Sequence, residues 1–121
     1  MITRTEILKG QNIPSDLEPL LADYLERINK FRAIYGRPMI VNSGYRSREH
    51  NAKIGGAVSS AHCVCQAADF ADAGEAMEKW IDDNPNVLIA CGLYREHPEY
   101  TKGWVHLQSR PTKSGNYTFI P

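Results

Sequence analysis

The sequence predicts an α+β domain in which helices pack against a small, largely antiparallel sheet, and three observations carry that prediction. Apolar residues recur at three- and four-residue spacing across 16–35, a shorter amphipathic stretch covers 74–83, and several short β-branched or aromatic segments lie between Gly and Pro punctuation. With 121 residues, the chain is expected to form one domain, 1–121, able to bury roughly two-thirds of its unfolded surface. No internal repeat, low-complexity tract or linker divides it.

The long helix is placed from about Asp16 to Tyr35, with Leu17, Leu20, Leu21, Tyr24, Leu25, Ile28 and Phe31 on its apolar face. Gly36 and Pro38 stop it. Two signals compete at its start: Ser15 with Glu18 reads as a capping box, whereas Pro19 belongs in a first helical turn. MIVNSGY then reads as a strand ended by Ser43-Gly44, delivering a turn that carries Arg46. A helical turn over Ser47 to Lys53 precedes a loop at Gly55-Gly56, and QAADF reads as a short strand. The second helix spans Gly74 to Asp83, with Asp72 as its N-cap, Glu75 three residues on, and Met77, Trp80 and Ile81 facing inward. VLIACGLY, WVHLQ and NYTFIP read as later strands.

Lys plus Arg equals Asp plus Glu at 14 each, so no global field favours nucleic acid or an anionic membrane surface, and neither is an expected partner. MITRTEILKG has no apolar signal-peptide core, and no segment offers the roughly 18 apolar residues that a membrane span requires. The expectation is synthesis in the cytoplasm without a signal peptide, as a monomer, with Cys63, Cys65 and Cys91 as free thiols.

The chemistry concentrates in SAHCVCQAAD, residues 60–69, which as residues alone reads as a metal site, a redox pair or an ordinary strand. In an extended chain His62 and Asp69 would stand about 23 Å apart at 3.3 Å per residue. If they share an ion, the chain between them must fold back. His106 lies on WVHLQ with Val105 and Leu107 on the opposite, apolar face, so its ring projects beside Trp104 and Gln108. Two imidazoles and a carboxylate would leave one position of tetrahedral zinc open for a water whose pKa the metal lowers. Cys63 and Cys65 could ligate a soft metal, but an Ala-rich strand entry favours buried packing thiols. His50 and His97 sit in polar loops, and Trp80 at helical spacing belongs to the core, whereas Trp104 beside His106 borders a cleft.

SAHCVCQAAD resembles the S-x-H-x-x-G-x-A-x-D motif of zinc D-Ala-D-Ala carboxypeptidases and related peptidoglycan peptidases, and NSGYRS and WVH extend the match in the same order over roughly residues 15–110. The resemblance implies a fold of the hedgehog and D-Ala-D-Ala peptidase type, with His62, Asp69 and His106 as Zn2+ ligands. It implies that Arg46 faces the scissile carbonyl or its oxyanion and that Ser60 belongs to the substrate-side rim. The implied activity is hydrolysis of a D-Ala-containing bond of bacterial peptidoglycan by zinc-activated water, as a carboxypeptidase or an endopeptidase. The other class is a catalytically silent, zinc-stabilised cell-wall-binding module. The ending GLYREHPEYTKGWVHLQSRPTKSGNYTFIP also resembles the small bacteriophage-encoded branch, which implies an endolysin acting on the cell wall.

Two departures stand out. Cys65 occupies the motif's Gly position, which often serves a positive φ or a close backbone approach. The acid that some relatives carry three residues before the last His is Gly103 here, and the one that others carry two residues after it is Gln108. The general base is therefore assigned to Glu96, in the loop before WVHLQ, with Glu99 and His97 as rivals.

Overall fold

The computed structural model describes all 121 residues. Its helices are α1 (Arg4–Leu8), α2 (Glu18–Tyr35), α3 (Arg48–Lys53), α4 (Ala76–Asp83) and α5 (Asn86–Cys91). Its strands are β1 (Val41–Ser43), β2 (Ala67–Ala71), β3 (Tyr94–Glu96), β4 (Trp104–Gln108) and β5 (Thr118–Phe119), joined in one sheet of order β1-β2-β4-β3-β5. Every pairing is antiparallel except β3 with β5, so the chain has the α+β architecture the sequence predicts.

The long helix α2 buries Leu21, Tyr24, Ile28 and Phe31 along the predicted face. Its C-terminus is closed by Gly36 at φ 73, whose N–H reaches Arg32 O. At its start the proline signal wins: a 3-10 turn at Ser15–Leu17 leads in, Pro19 sits in the first turn, and no side chain caps Leu17. The Tyr24 hydroxyl donates to Leu107 O at 2.9 Å in the buried interior, fixing α2 across the central strand β4. Ala68 and Phe70 of β2, with Val105 and Leu107 of β4, turn into the same core. The alternate residues of these two strands, Asp69 and His106 among them, are thereby left on the other face.

Three elements differ from the sequence reading. VLIACGLY is mostly the helix α5, not a strand; Val87, Leu88 and Cys91 are buried while Ile89 and Ala90 face outward, and Gly92 at φ 65 ends it before β3 begins at Tyr94. A short apolar run fits either element by pattern, and here Pro85 before the run and Gly92 after it are helix boundaries. Helix α4 starts at Ala76 rather than Gly74, after Glu75 in the left-handed region. Asp72 still serves its N-terminus, accepting from Met77 N at 2.9 Å and Glu78 N at 3.0 Å. The third is α1, an unexpected turn of helix closed by a capping box between Thr3 and Glu6.

Helix α1 gives Gly44 its reason. A Cβ on Gly44 would lie 2.3 Å from Ile7 O, so the turn after β1 can press against α1 only without a side chain. Gly44→Ala should therefore destabilise the protein by about 1–3 kcal/mol, the range for overpacking. Urea denaturation of the two proteins measures it, and an unchanged midpoint would show that α1 moves aside freely.

Candidate active site

Strand register builds the site. Asp69 of β2 and His106 of β4 are paired residues, and His106 Nδ1 lies 2.8 Å from Asp69 Oδ1. His62 arrives from the 3-10 turn Ala61–Val64, and the chain reverses through Cys65 at φ 58 before entering β2. That reversal brings His62 Nε2 to 3.2 Å from the same Asp69 oxygen, although extended chain would hold the two residues far apart. The ligating atoms of the three buried residues all lie within 4.8 Å of one another.

The Cys65 departure is one of side chain and not of backbone, because the position keeps the left-handed conformation that glycine would adopt without strain. Its sulfur is fully buried, and burial pushes the thiol up to about 11, so it packs as a small neutral group. Cys63 and Cys91 are likewise free and buried.

The outer nitrogens of both imidazoles are committed. His62 Nδ1 lies 2.8 Å from the carbonyl of Gly44, which can only accept, so that nitrogen carries the proton and Nε2 turns its lone pair toward Asp69. His106 Nε2 lies 2.8 Å from Gln108 Oε1, while the Gln108 amide nitrogen donates to Arg110 O at 2.8 Å. The Gln108 oxygen is therefore the acceptor, and His106 Nδ1 also presents its lone pair inward. Two neutral imidazoles and a carboxylate converging on one point are the donor set of a tetrahedral zinc site with one open position, so these residues fit the ion.

The electrostatics agree. Burial alone would push Asp69 up, but the two rings at its oxygen, when protonated on their inner nitrogens, outweigh it by hydrogen bonding and charge and hold the carboxyl at about 2. Burial alone would lower His106, and Asp69 instead raises it, helped by Gln108 and Glu96. A carboxylate facing two imidazoles calls either for extra protons on the rings or for a cation among them.

Around this cluster runs a cleft of about 350 Å³ lined by Arg46, Ser60, Glu96 and Trp104, the other residues singled out from the sequence. Arg46, in the turn after β1, donates Nε to Ser43 Oγ at 3.0 Å and Nη2 to Asp69 Oδ2 at 3.2 Å. Ser60 accepts from His62 N at 3.2 Å, so its hydroxyl also caps the turn that delivers a ligand. Glu96 closes β3 with Oε2 4.0 Å from His106 Nδ1 and its side chain 16% exposed. Burial raises its pKa, His106 opposes this, and Asp69 reinforces it. The rivals lie elsewhere: Glu99 is exposed, and His97 caps the 3-10 turn Pro98–Tyr100 by accepting from Glu99 N. His50 is exposed, and Trp80 packs on Phe31 and Tyr35.

The sequence reading placed Gln108 beside His106 and noted it as a missing acid, but gave it no role. Its place on the His106 face, two residues along the strand, was the available signal for a supporting role. Phe119, whose ring centroid lies 6.1 Å from that of His106, and Arg110 also line the cleft and gave no signal of their own.

A buried His–Asp–His cluster on one face of a small sheet, at the floor of an open cleft, has the donor set of an accessible metal centre. A family model described as Peptidase M15 matches residues 2–108, and the chain belongs to that family of zinc-dependent metallopeptidases. No curated protein gives a significant match. No helix is long and apolar enough to cross a membrane.

Removing the acceptor behind His106 should loosen the metal. Gln108→Ala is expected to weaken zinc affinity about ten- to a hundredfold, while Gln108→Glu, which still accepts from His106, retains most of it. Competition with a chromogenic chelator, beside a thermal melt to verify folding, reads both; equal affinities in all three proteins would remove Gln108 from this role.

Proposed function

We propose that this protein is a zinc-dependent peptidase that hydrolyses a D-Ala-containing peptide bond of bacterial peptidoglycan. The observation that supports catalysis is the pair of carboxyls flanking His106: Asp69, held ionised at about 2, and Glu96, raised by burial and pointing into the same cleft. Two acids of unlike environment beside one imidazole can divide the work of ligand and proton carrier.

Zinc, when bound by His62, Asp69 and His106, would polarise the scissile carbonyl and acidify a water. Glu96 accepts the proton of the attacking water and returns it to the leaving amine, a task suited to a carboxyl whose pKa is shifted upward. Arg46 directs a guanidinium already oriented by Ser43 and Asp69 toward the oxygen on which negative charge develops. Ser60 and Trp104 form the rim against which the peptide lies, Trp104 offering a flat apolar face. A silent wall-binding module would need the ligands and the groove, but no largely buried acid at Glu96. The likeness of the chain's ending to small bacteriophage-encoded peptidases makes cell-wall lysis the proposed setting.

The test is incubation of the zinc-loaded protein with defined muropeptides, with products identified by mass. One zinc per chain is expected by elemental analysis, lost in the His62→Ala, His106→Ala double variant and on acidification, because a ligating imidazole must be neutral. Glu96→Gln should keep zinc and slow cleavage by about 10²–10⁴-fold. Arg46→Ala should keep zinc and lose about a hundredfold, and Arg46→Lys should rescue poorly because a point charge does not reproduce the fork. Muropeptide binding without cleavage by the zinc-loaded protein would leave the binding module as the function.

A further inference from the structure

The family match ends at residue 108, yet the cleft does not. Beyond Gln108 it opens into a second cavity of about 770 Å³ that shares Arg110 and Phe119 with the first and adds the turn carrying Lys113. Arg110 stands where the two cavities meet, half-buried, with Nη2 donating to Ser59 O at 2.7 Å and no carboxylate within ion-pair distance. Lys113 likewise has no acidic partner, and no Asp or Glu lines the second cavity.

The wall that holds these cations is fixed to the sheet. Arg95 N donates to Tyr117 O at 2.7 Å and His97 N to Phe119 O at 2.8 Å, extending β3 along the tail. The rings of Tyr94 and Tyr117 stack at 4.7 Å. Arg95 Nη2 reaches both Thr118 Oγ1 at 3.1 Å and Asp82 of α4, while Nη1 pairs with Glu78 of the same helix. Within the turn, Gly115 N donates to Thr112 O, and Thr112 Oγ1 to Asn116 O.

We propose that residues 109–121 form a cationic subsite in which Arg110, seconded by Lys113, binds a carboxylate of the substrate peptide beside the scissile bond. A guanidinium that is partly withdrawn from water and lacks a counter-charge gains from an anion that supplies one, and its planar fork matches a carboxylate. One of its N–H groups is spent on Ser59 O, which orients the rest without neutralising them. The ligand is a side-chain or terminal carboxylate, because the cavity continues directly from the cleft that would hold a peptide. This deepens the peptidase reading and rests on its peptide-binding part alone.

The experiment measures binding, not turnover. Zinc-loaded protein is titrated calorimetrically with pairs of muropeptides that differ only in one carboxylate, present or converted to carboxamide. The wild type should prefer the carboxylate form at one position by about ten- to a hundredfold, the scale of hydrogen bonds to a charged group. An Arg110→Gln, Lys113→Gln double variant that retains its zinc should lose most of that preference, and Arg110→Glu should reverse it toward peptides bearing an amine. Equal affinity for the two forms in the wild type, or an undiminished preference in the double variant, would overturn the subsite. Displacement by inorganic phosphate at sub-millimolar concentration would also overturn it, by showing an unselective anion site. Preference without hydrolysis would refute the peptidase reading and support this one, whereas failure to bind either form would refute both.

Discussion

Asp69 Oδ1 lies between two imidazole nitrogens, 2.8 Å from His106 and 3.2 Å from His62, and much of the surrounding chain is arranged to keep it there. Register is the first requirement, because shifting β2 by one residue against β4 would turn Asp69 into the core and Phe70 into the cleft. The apolar alternates Ala68, Phe70, Val105 and Leu107 prevent that slip, since all four are fully buried under α2. The second requirement is the reversal at Cys65, without which His62 would be carried away along an extended strand. The third is the Gly44 carbonyl that fixes the His62 tautomer, available because α1 packs against a residue with no side chain. Core packing and metal-ligand geometry are thus two faces of the same pair of strands.

The two carboxyls near His106 differ in how they are surrounded more than in how deeply they lie. Asp69 faces a ring nitrogen of each imidazole with one oxygen and accepts from Arg46 on the other, so polar groups surround its charge. Glu96 has a single imidazole at 4.0 Å and a neighbouring carboxylate that repels its charge. A group with full support stays a permanent anion, and one with partial support can take up and release a proton. The placement of Glu96 at the end of β3, one residue beyond Arg95 opposite Leu107, sets this difference.

Where a residue type has one strong physical preference, the sequence was readable. The α2 stripe, the alternation in WVHLQ and the stop at Gly36 each follow from periodicity or from φ, and the structure keeps all three. The S-x-H-x-x-G-x-A-x-D resemblance supplied the candidate cluster because its spacing encodes a reversal that periodicity does not show. Elements set by tertiary context were not readable. Helix α5 is six residues long, too short to be stable without packing, and its apolar run fits either a helix or a strand. Strand β5 was legible within NYTFIP, but its extent of two residues was not, because it is set by the contacts of Arg95 with Thr118 and of Tyr94 with Tyr117, which join positions remote in sequence. Gln108 was placed on the His106 face by the strand alternation, but which ring nitrogen it would engage was not legible, since that depends on side-chain conformation.

The His–Asp–His cluster and the tail are held in different ways. Ligand geometry tolerates displacements of tenths of an ångström, so the His–Asp–His cluster is built on paired strands and turns locked from behind. A wall of the kind proposed for the substrate tolerates more, and the tail meets the sheet through a few backbone bonds, one aromatic stack and the Arg95 clamp. Phe119 is where the two requirements touch: its ring stands edge-on to His106 while its backbone belongs to β5. Under the proposed subsite, a change in the tail would alter which peptides fit without moving Asp69, provided Phe119 keeps its edge-on contact with His106. The Arg95 clamp holds the neighbouring Thr118, so β5 is fixed independently of the turn at 112–116, which is left free to vary in charge and length.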